Sequence, residues 1–299
     1  MTVERVALLL VTYRSAGHVP VLAESLRGQG VAWRAYVVDN ASPDGSAEVA
    51  ESALRPAWLD RRPRNEGFAA AANRAASRAV ADGAEWLLFC NPDVRFDPAA
   101  LDALAAAADE RSLVVPQVLL PGGGLEAAAG PFDFASVAWR GDWIGRAPTG
   151  EWLRPHAVAM ASLCCLLVPA SAWVAAGPLD ETLFMYYEDF DFVARCRRAG
   201  FAVRYEPAAR VWHAKGASSG GAGSPFVRYY AARNRYLIAR RWSRGPLRLA
   251  LFTARYAAVR AARGLQALAA GQRRAARAEI AGLRDGVLGR TGPRWEAPA

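Results

Sequence analysis

Short apolar runs alternate with segments of helical periodicity along the first third of the chain. Residues 6–11 and 35–38 are uniformly apolar, and each run is followed by polar residues and then by a segment with helical spacing, residues 20–27 and 47–54. A third run, Trp86 to Cys90, ends in the turn tripeptide Asn91-Pro92-Asp93. Because strands that alternate with helices build parallel sheets, the pattern predicts an α/β protein with a mostly parallel, Rossmann-like central sheet flanked by helices.

Polar side chains follow these strands at their carboxyl ends, the edge where open α/β sheets bind ligands. Asp39 could accept a hydrogen bond from a pyrimidine base or a ribose hydroxyl, or it could cap the following turn. Asp93 could reach a ligand or a metal, or belong to an ordinary strand-to-helix turn. His213 follows a short predicted strand and could complete a divalent-metal site with Asp93, although a lone histidine is more often structural.

The segment Asn65-Glu66-Gly67 opens an alanine-rich helix that we expect to end near Asp82. Gly67 would let a ligand approach the backbone where free N–H groups favour anions, with Asn73 two turns further along. A well-packed helix with a glycine near its start is the alternative. Neither a G-x-G-x-x-G fingerprint nor a Walker A loop follows the first strand, so the common dinucleotide and P-loop sites are excluded.

Aromatic and acidic residues are concentrated between residues 179 and 192. Glu188 and Asp189 stand just before a helical pattern that begins at Asp191. Carboxylates at a helix N-terminus are common as caps. Three acids within four positions exceed what a cap needs, so we interpret them as a general base with supporting acids in a partly apolar pocket.

The formal net charge of the 299-residue chain is +9, and Lys215 is its only lysine. Such a charge fits a nucleic-acid binder, but no docking motif of that class is present. The four cysteines lack metal-site spacing, and we interpret them as buried apolar residues in a reducing cytosol. The N-terminal apolar run is too short for a signal sequence, and no window reaches the roughly 20 apolar residues of a spanning helix. A cytoplasmic location is therefore expected.

Two regions depart from the strand–helix pattern. Residues 121–158 are rich in Gly, Pro and Trp, and we expect an insertion over the sheet edge where a variable partner could bind. The pattern of residues 226–236 predicts a helix on which Arg233 could bind a diphosphate or belong to a solvated basic face. From residue 245 arginines stand among apolar residues, which suits a helix on an anionic membrane surface. Packing on the main domain or on a second subunit, as in a homodimer, is the alternative.

These features predict a main domain over 1–225, a basic helical extension over 226–290 and a loose tail over 291–299. Taken in order, the motifs resemble the family 2 glycosyltransferases of the GT-A fold, especially their bacterial rhamnosyltransferase-like branch. The resemblance covers about residues 5–242 and rests on Val11-Thr12-Tyr13, Val38-Asp39-Asn40-x-Ser42, Asn65-x-Gly67-Phe68 with Asn73, Asn91-Pro92-Asp93, Leu179-Asp180-Glu181, Glu188-Asp189-x-Asp191 and His213.

The resemblance implies a role for each matched residue. A nucleotide-sugar donor would be held by Thr12, Tyr13, Asp39, Asn65, Gly67, Asn73, Asn91 and Asp93. Arg14 and Arg233 lie outside the matched stretches and are further donor-binding candidates. Asp93 would be the last position of the Asp-x-Asp motif of the family and would hold Mg or Mn with His213. Asn91 stands at the first position, which makes a metal requirement less secure. Asp189 would be the catalytic base, with Glu188 and Asp191 in support. The candidates on the acceptor side are Trp139, Trp143, Tyr186 and Tyr187, whose rings could stack on sugars or fill the core.

The activity that the resemblance implies is transfer of one sugar, with inversion, from dTDP-rhamnose or a UDP-sugar. The acceptor would be a hydroxyl of a glycan or of a lipid-linked acceptor in cell-surface polysaccharide synthesis. Arg241-Trp242 is superficially similar to a motif of processive synthases, but spanning helices are missing, so a single addition is expected. The alternatives are a non-catalytic module that binds nucleotides or glycans, and a nucleotidyltransferase, which would need a phosphate loop that residues 12–17 do not supply.

Overall fold

The computed structural model describes residues 6–133, 136–214, 221 and 223–294. Within these ranges the chain forms thirteen strands: β1 (Val6–Thr12), β2 (Trp33–Asp39), β3 (Trp58–Arg61), β4 (Trp86–Cys90), β5 (Val94–Phe96), β6 (Ser112–Leu119), β7 (Ala129–Gly130), β8 (Phe132–Asp133), β9 (Ala138–Trp139), β10 (His156–Ala157), β11 (Met160–Ala161), β12 (Cys165–Pro169) and β13 (Ala202–His213). Nine strands build one sheet in the order β10-β13-β6-β12-β4-β1-β2-β3, with β5 paired to β13.

The α-helices of the described residues are α1 (Val19–Leu26), α2 (Ser46–Leu54), α3 (Phe68–Ala81), α4 (Ala100–Ala106), α5 (Ala170–Ala176), α6 (Glu188–Arg198), α7 (Pro225–Trp242), α8 (Pro246–Ala269) and α9 (Arg273–Val287). Short 3-10 helices cover Gly150–Leu153 and Glu181–Leu183. None of the helices in the described ranges is long and apolar enough to cross a membrane.

The large sheet is mostly parallel, as the sequence predicts. Strands β3, β2, β1 and β4 run parallel to one another. Strand β12 is antiparallel to both β4 and β6, whereas β13 runs parallel to β6. The strand Trp86–Cys90 therefore has one antiparallel neighbour. The carboxyl ends of β1, β2, β4, β6 and β13 all lie along one edge of the sheet, and they bring the polar residues after these strands together.

Alternate residues of the central strands face two hydrophobic layers. Leu8 and Leu10 belong to the layer that contains apolar residues of α1, α2 and α4. Leu9 and Phe89 belong to the opposite layer, with α3 and α6. Both faces of the sheet are covered, which is why these strands are uniformly apolar rather than alternating. The alanines of α3 let this helix lie close to the sheet.

Several elements differ from the sequence-based prediction. The sequence pattern predicts separate strands over 201–205 and 211–212, but residues 202–205 and 211–212 belong to the single strand β13, which has a register shift between Glu206 and Arg210. Pro207 lies in that shift because it has no N–H to donate to a regular ladder. The pattern after the Asn91-Pro92-Asp93 turn also predicts a helix over 98–109, but the structure limits it to α4, and the short strands β3 and β5 were not predicted. The expected insertion over 121–158 contains only short strands and one 3-10 helix in its described part.

The C-terminal helices pack on one another and on the main domain. Helix α9 crosses α7 closely at Gly282, which has no side chain. A Cβ atom at this position would lie 2.4 Å from the Tyr229 carbonyl oxygen. Helix α8 is joined to α9 by a buried ion pair between Arg260 and Glu279, at 2.9 Å. The chain beyond α9 returns to the main domain, where Gly292 N donates to the Thr182 carbonyl oxygen over 2.8 Å. Residues 295–299 of the predicted tail lie outside the described residues.

Candidate active site

A cleft of about 480 Å³ opens at the carboxyl edge of the sheet. Its walls come from the ends of β1, β4 and β13, from the segment before α6 and from α7. Ten of the residues predicted from the sequence line it: Tyr13, Asn65, Asn91, Asp93, Trp139, Tyr186, Tyr187, Glu188, Asp189 and His213. The sequence therefore identified both the acidic segment and the two strand-end positions that face one another across the cleft.

The ends of β1 and β2 form a hydrogen-bonded polar corner beside the cleft. Thr12 Oγ1 donates to Asp39 Oδ1 over 2.8 Å. Asp39 also accepts from the backbone N–H of Ser42 at 3.0 Å and from its hydroxyl. The backbone of Arg14 adopts a left-handed conformation, with φ of 54°, and its guanidinium lies over the Tyr13 ring. The structure thus gives Asp39 the turn-capping role, and its contact with a nucleoside stays a prediction.

Glycine is required at position 67 by a close contact within the protein, not by a ligand. Its φ is +89°, and a Cβ atom there would lie 2.3 Å from the Phe184 carbonyl oxygen. That oxygen accepts from the backbone N–H of Phe68 at 2.8 Å. Asn65 Oδ1 accepts from Gly67 N at 2.9 Å. The close approach expected for a ligand is therefore occupied by the segment that leads to Glu188.

Asn73 lies outside the cleft. Its amide nitrogen donates to the Leu179 carbonyl oxygen at 3.0 Å and to Glu181 Oε1 at 2.8 Å. Its amide oxygen accepts from Leu179 N at 2.8 Å. The side chain joins α3 to the chain before α6, and this positioning role replaces the predicted contact with a donor.

The predicted contact between Arg233 and a diphosphate is also wrong. The side chain is fully buried in α7, and its guanidinium donates to the carbonyl oxygens of Leu183 and Gly292. It also lies over the ring of Tyr230. Because these contacts hold the guanidinium away from the cleft, Arg233 is a structural residue and does not contact a diphosphate.

His213 lies between two carboxylates at the end of β13. Its Nε2 atom is 3.0 Å from Asp93 Oδ1, and its Nδ1 atom is 2.6 Å from Glu126 Oε2. Burial alone would lower the pKa of His213, but the hydrogen bonds to Asp93 and Glu126 raise it to about 9. Burial likewise favours a higher pKa for Asp93, but the His213 contact outweighs it and lowers the pKa of that carboxyl. The Asn91 amide nitrogen lies 3.3 Å from His213 Nε2.

This group fits a hard divalent ion on its cleft side. Two ligand atoms bound at right angles to one ion at about 2.1 Å are separated by about 3.0 Å, and Asp93 Oδ1 and His213 Nε2 have that separation. The Asp93 carboxylate suits Mg or Mn, whereas Asn91 would add an amide oxygen only after its side chain rotates, because its nitrogen faces His213. The thiol of Cys164 also lies near His213 and Glu126. Burial raises the pKa of that thiol well above its ordinary value, so it stays protonated and is a poor ligand.

Glu188 and Asp189 face the cleft at the start of α6. Glu188 is 6% exposed, and within the described residues its Oε2 atom has no hydrogen-bond partner. Asp189 Oδ1 accepts from the backbone N–H of Phe190 at 2.8 Å. Burial raises the pKa of both carboxyls, and the negative charge of Asp189 raises that of Glu188 further. A carboxyl with a raised pKa inside a cleft is suited to taking a proton near neutral pH.

The third acid of the segment has a different environment. Asp191 is 1% exposed and forms ion pairs with Arg195 and Arg241, each at 2.8 Å. The indole N–H of Trp242 donates to Asp191 Oδ1 at 3.1 Å. All of these partners turn the carboxylate away from the cleft, so its expected catalytic support is replaced by a structural connection between α6 and α7. Arg241 and Trp242 both contact Asp191, so their presence has a structural reason and does not require the motif of a processive synthase.

An aromatic wall lies beside the acidic pair. Trp139 packs edge-on against Phe190, with ring centroids 5.8 Å apart, and it faces the cleft. Trp143 is buried behind it against Trp152, at 4.6 Å, so the structure assigns it to the core. Tyr186 and Tyr187 complete the wall.

Two residues of the site were missed by the sequence analysis, Glu126 and Asn234. Glu126 follows no regular strand and lies in the aperiodic segment, so no pattern marked it. Asn234 stands next to Arg233 in a helix whose buried face cannot be recognised without α9. The Asn234 amide nitrogen donates to the carbonyl oxygens of Leu183, Met185 and Tyr186.

A mostly parallel sheet with a strand-end acid and histidine facing an acidic helix start is the arrangement that we expected for a nucleotide-sugar glycosyltransferase of the GT-A fold, and the comparisons with known proteins show that class. The family model described as Glycosyl transferase family 2 matches residues 8–132. The chain is 32% identical over 247 residues to an N-acetylglucosaminyl-diphospho-decaprenol L-rhamnosyltransferase of Mycobacterium tuberculosis, with 72% of this chain and 78% of that protein covered. The chain therefore belongs to glycosyltransferase family 2.

Solved structures with the same fold are more distant in sequence. TarS 1–349 of S. aureus in complex with UDP-GlcNAc has a TM-score of 0.56 at 14% identity, with 96% of this chain and 93% of that chain covered. GalNAc-T7 with UDP, GalNAc and Mn2+ has a TM-score of 0.50 at 17% identity, with 70% of this chain and 42% of that chain covered. These likenesses support the GT-A fold expected from the sequence.

Proposed function

We propose that this glycosyltransferase moves one L-rhamnosyl unit, with inversion, from a nucleotide-diphosphate donor to a hydroxyl of a lipid-diphosphate-linked sugar. The observation that carries the proposal is the placement of Glu188 and Asp189 across one cleft from Asp93 and His213. The sugar and the acceptor follow the name of the mycobacterial relative. A UDP-sugar is the second donor that the proposal admits.

In the proposed reaction Asp189 is the general base. Its carboxylate takes the proton of the acceptor hydroxyl as the hydroxyl oxygen bonds to the anomeric carbon. The bond from that carbon to the diphosphate oxygen breaks on the opposite face, and its electron pair leaves with the nucleoside diphosphate. A single displacement of this kind inverts the anomeric centre and needs no second carboxylate as nucleophile. Trp139, Tyr186 and Tyr187 would shape the acceptor side, because aromatic rings pack on the apolar faces of sugars.

Asp93 and His213, with the amide oxygen of Asn91 after rotation of that side chain, would hold Mg or Mn. The ion would neutralise the charge that develops on the departing diphosphate. Tyr13 and Asn65 line the same cleft and would contact the donor, with Asp39 and Thr12 at the nucleoside end.

We also propose that α8 binds the surface of an anionic membrane. Seven of its exposed apolar residues follow one another at spacings of four and three along the helix: Leu247, Leu251, Ala254, Ala258, Ala261, Leu265 and Leu268. Exposed arginines 248, 255 and 263 lie on the same helix. The sequence has no acidic residue between Glu206 and Glu279. An apolar stripe with basic flanks suits anionic lipid, whereas a second copy would set arginines against arginines. Such a position on the cytoplasmic face would bring the cleft to a lipid-linked acceptor.

The catalytic proposal is tested with the purified chain and a panel of dTDP-rhamnose, UDP-sugars and their free nucleotides, each with Mg, Mn or chelator. Calorimetry gives nucleotide affinity, and NMR of the product gives the anomeric configuration. We expect Asp189→Asn to lower kcat about 10²–10⁴-fold while donor affinity is retained. Loss of donor binding in Asp189→Asn, or a product with retained configuration, would contradict the assigned base or the single displacement.

The membrane proposal is tested by sedimentation with vesicles of phosphatidylglycerol or of phosphatidylcholine. We expect binding to the anionic vesicles, and loss of binding in the double variant Leu251→Glu, Leu265→Glu. Val174→Glu is the matched control, because Val174 is also exposed but lies on α5. Equal binding of the double variant and the control, or dimerisation that the double variant abolishes, would overturn the proposal.

A further inference from the structure

We propose that Glu126 is the positioning residue of the metal site, holding the His213 imidazole in the tautomer and orientation that direct Nε2 at the ion. The inference rests on the proposed metal site of the glycosyltransferase. His213 has two ring nitrogens, and the structure gives each a different carboxylate. The nitrogen toward the cleft meets Asp93, and the nitrogen away from it meets Glu126. Glu126 therefore acts on the ion through His213 and is not itself a ligand.

The contact between Glu126 and His213 is short and shielded from water. Glu126 Oε2 lies 2.6 Å from His213 Nδ1, and the two side chains are 7% and 8% exposed. A buried carboxylate is stable only with strong hydrogen-bond donors, and the Nδ1–H group is one. When an ion displaces the proton from Nε2, a histidine that donates from Nδ1 directs the freed Nε2 lone pair at the metal, because the neutral ring carries a single N–H.

The backbone around Glu126 is fixed to the same sheet that carries His213. Leu125 forms an antiparallel bridge with Leu119, the last residue of β6. The Glu126 N–H group donates to the Val118 carbonyl oxygen at 2.9 Å. Strand β6 is the parallel neighbour of β13, with Leu119 opposite Trp212. The carboxylate is thus held beside the end of β6 by backbone contacts, and the imidazole stands at the end of the adjacent strand β13.

Removing a carboxylate that orients a metal-bound histidine usually lowers metal affinity about 10–100-fold. The test uses the full chain and Mn²⁺ itself as the probe, with binding followed by electron paramagnetic resonance in the presence of UDP or dTDP. We expect Glu126→Leu to weaken Mn²⁺ binding about 10–100-fold. Glu126→Gln keeps an oxygen acceptor for the Nδ1–H group, so the loss should be clearly smaller than in Glu126→Leu. The control variant is Glu110→Gln, since Glu110 is exposed and outside the cleft.

A second readout separates positioning from a general loss of structure. Nitrogen-15 NMR of the histidine rings reports the tautomer, and we expect the Nδ1–H form of His213 with Mn²⁺ replaced by diamagnetic Mg²⁺. Glu126→Leu should change this signature while the metal-free affinity for nucleotide stays unchanged. If both Glu126 variants bind Mn²⁺ as the wild-type chain does, the inference is wrong. If the wild-type chain binds no metal yet transfers sugar with chelator present, the metal site and this inference both fail, and the transferase stands.

Discussion

The amide nitrogen of Asn234 donates to the Tyr186 carbonyl oxygen over 2.9 Å, and this contact joins α7 to the segment that carries the proposed base. Tyr186 has a φ of 70°, and Phe184 and Tyr187 have φ values of 66° and 73°. Left-handed backbone at non-glycine residues costs free energy and persists only where the surroundings hold it. Asn234 provides that constraint, because the same nitrogen also donates to Leu183 and Met185.

We predict that Asn234→Ala lowers kcat about 10–100-fold with little change in donor affinity, because Glu188 and Asp189 lose their fixed placement. The matched control is Gln117→Ala, a buried amide that donates to Trp152 and Tyr205 away from Asp189. Both variants should lose stability, measured by urea denaturation, but the control should retain its kcat. Equal kcat values in the two variants would contradict the positioning role.

The pH profile of turnover should report the acidic pair. Burial raises the pKa of Asp189 to about 7, and a protonated carboxyl cannot accept the proton of an acceptor hydroxyl. We therefore predict that kcat is highest above this pKa and falls tenfold per pH unit well below it. Burial, and not the neighbouring acid, raises the pKa of Asp189, so Glu188→Gln should leave the midpoint near its wild-type value. If kcat does not change with pH over the whole range in which the protein stays folded, Asp189 is not the base.

The sequence predicted the parts of the site that follow regular elements. Asp93 stands in the turn after β4 and His213 is the last residue of β13, and a parallel sheet brings the carboxyl ends of its strands to one edge. Glu188 and Asp189 were found because three acids within four positions exceed what a helix cap needs. The same logic predicted the core strands, since an apolar run can be buried on both faces only inside a covered sheet.

The sequence failed where a side chain is placed by contacts between distant segments. The helical pattern around Arg233 shows that it shares a face with neighbouring residues, but it does not show that α9 and Leu183 cover that face. Glu126 has no periodicity around it, and its contact with His213 spans 87 positions. Gly67 was correctly singled out as special, but the atom that excludes a side chain belongs to Phe184 and not to a ligand.

Asp191 should behave as a structural residue. We predict that Asp191→Asn lowers the free energy of unfolding by about 1–3 kcal/mol, because the ion pairs with Arg195 and Arg241 are lost. Arg241 is partly exposed, so Arg241→Gln should cost less. Turnover per folded molecule should stay near the wild-type value in both variants. A loss of kcat in Asp191→Asn as large as in Asp189→Asn, with stability unchanged, would restore a catalytic role.

The packing of Gly67 against Phe184 gives a final prediction that separates backbone strain from steric exclusion. Gly28 and Gly67 both have positive φ values, +79° and +89°, but a Cβ atom at Gly28 would meet nothing within 4 Å. Gly28→Ala should therefore cost only the left-handed strain, about 1–2 kcal/mol. Gly67→Ala must also displace the Phe184 carbonyl, so we expect a loss of roughly 3 kcal/mol or more in urea denaturation. Its kcat should fall as well, because Phe184 begins the strained segment that leads to Asp189, whereas Gly28→Ala should keep its kcat. Equal losses of stability in the two variants would show that the segment can move aside, and the close approach of Phe184 would then not be what requires glycine at this position.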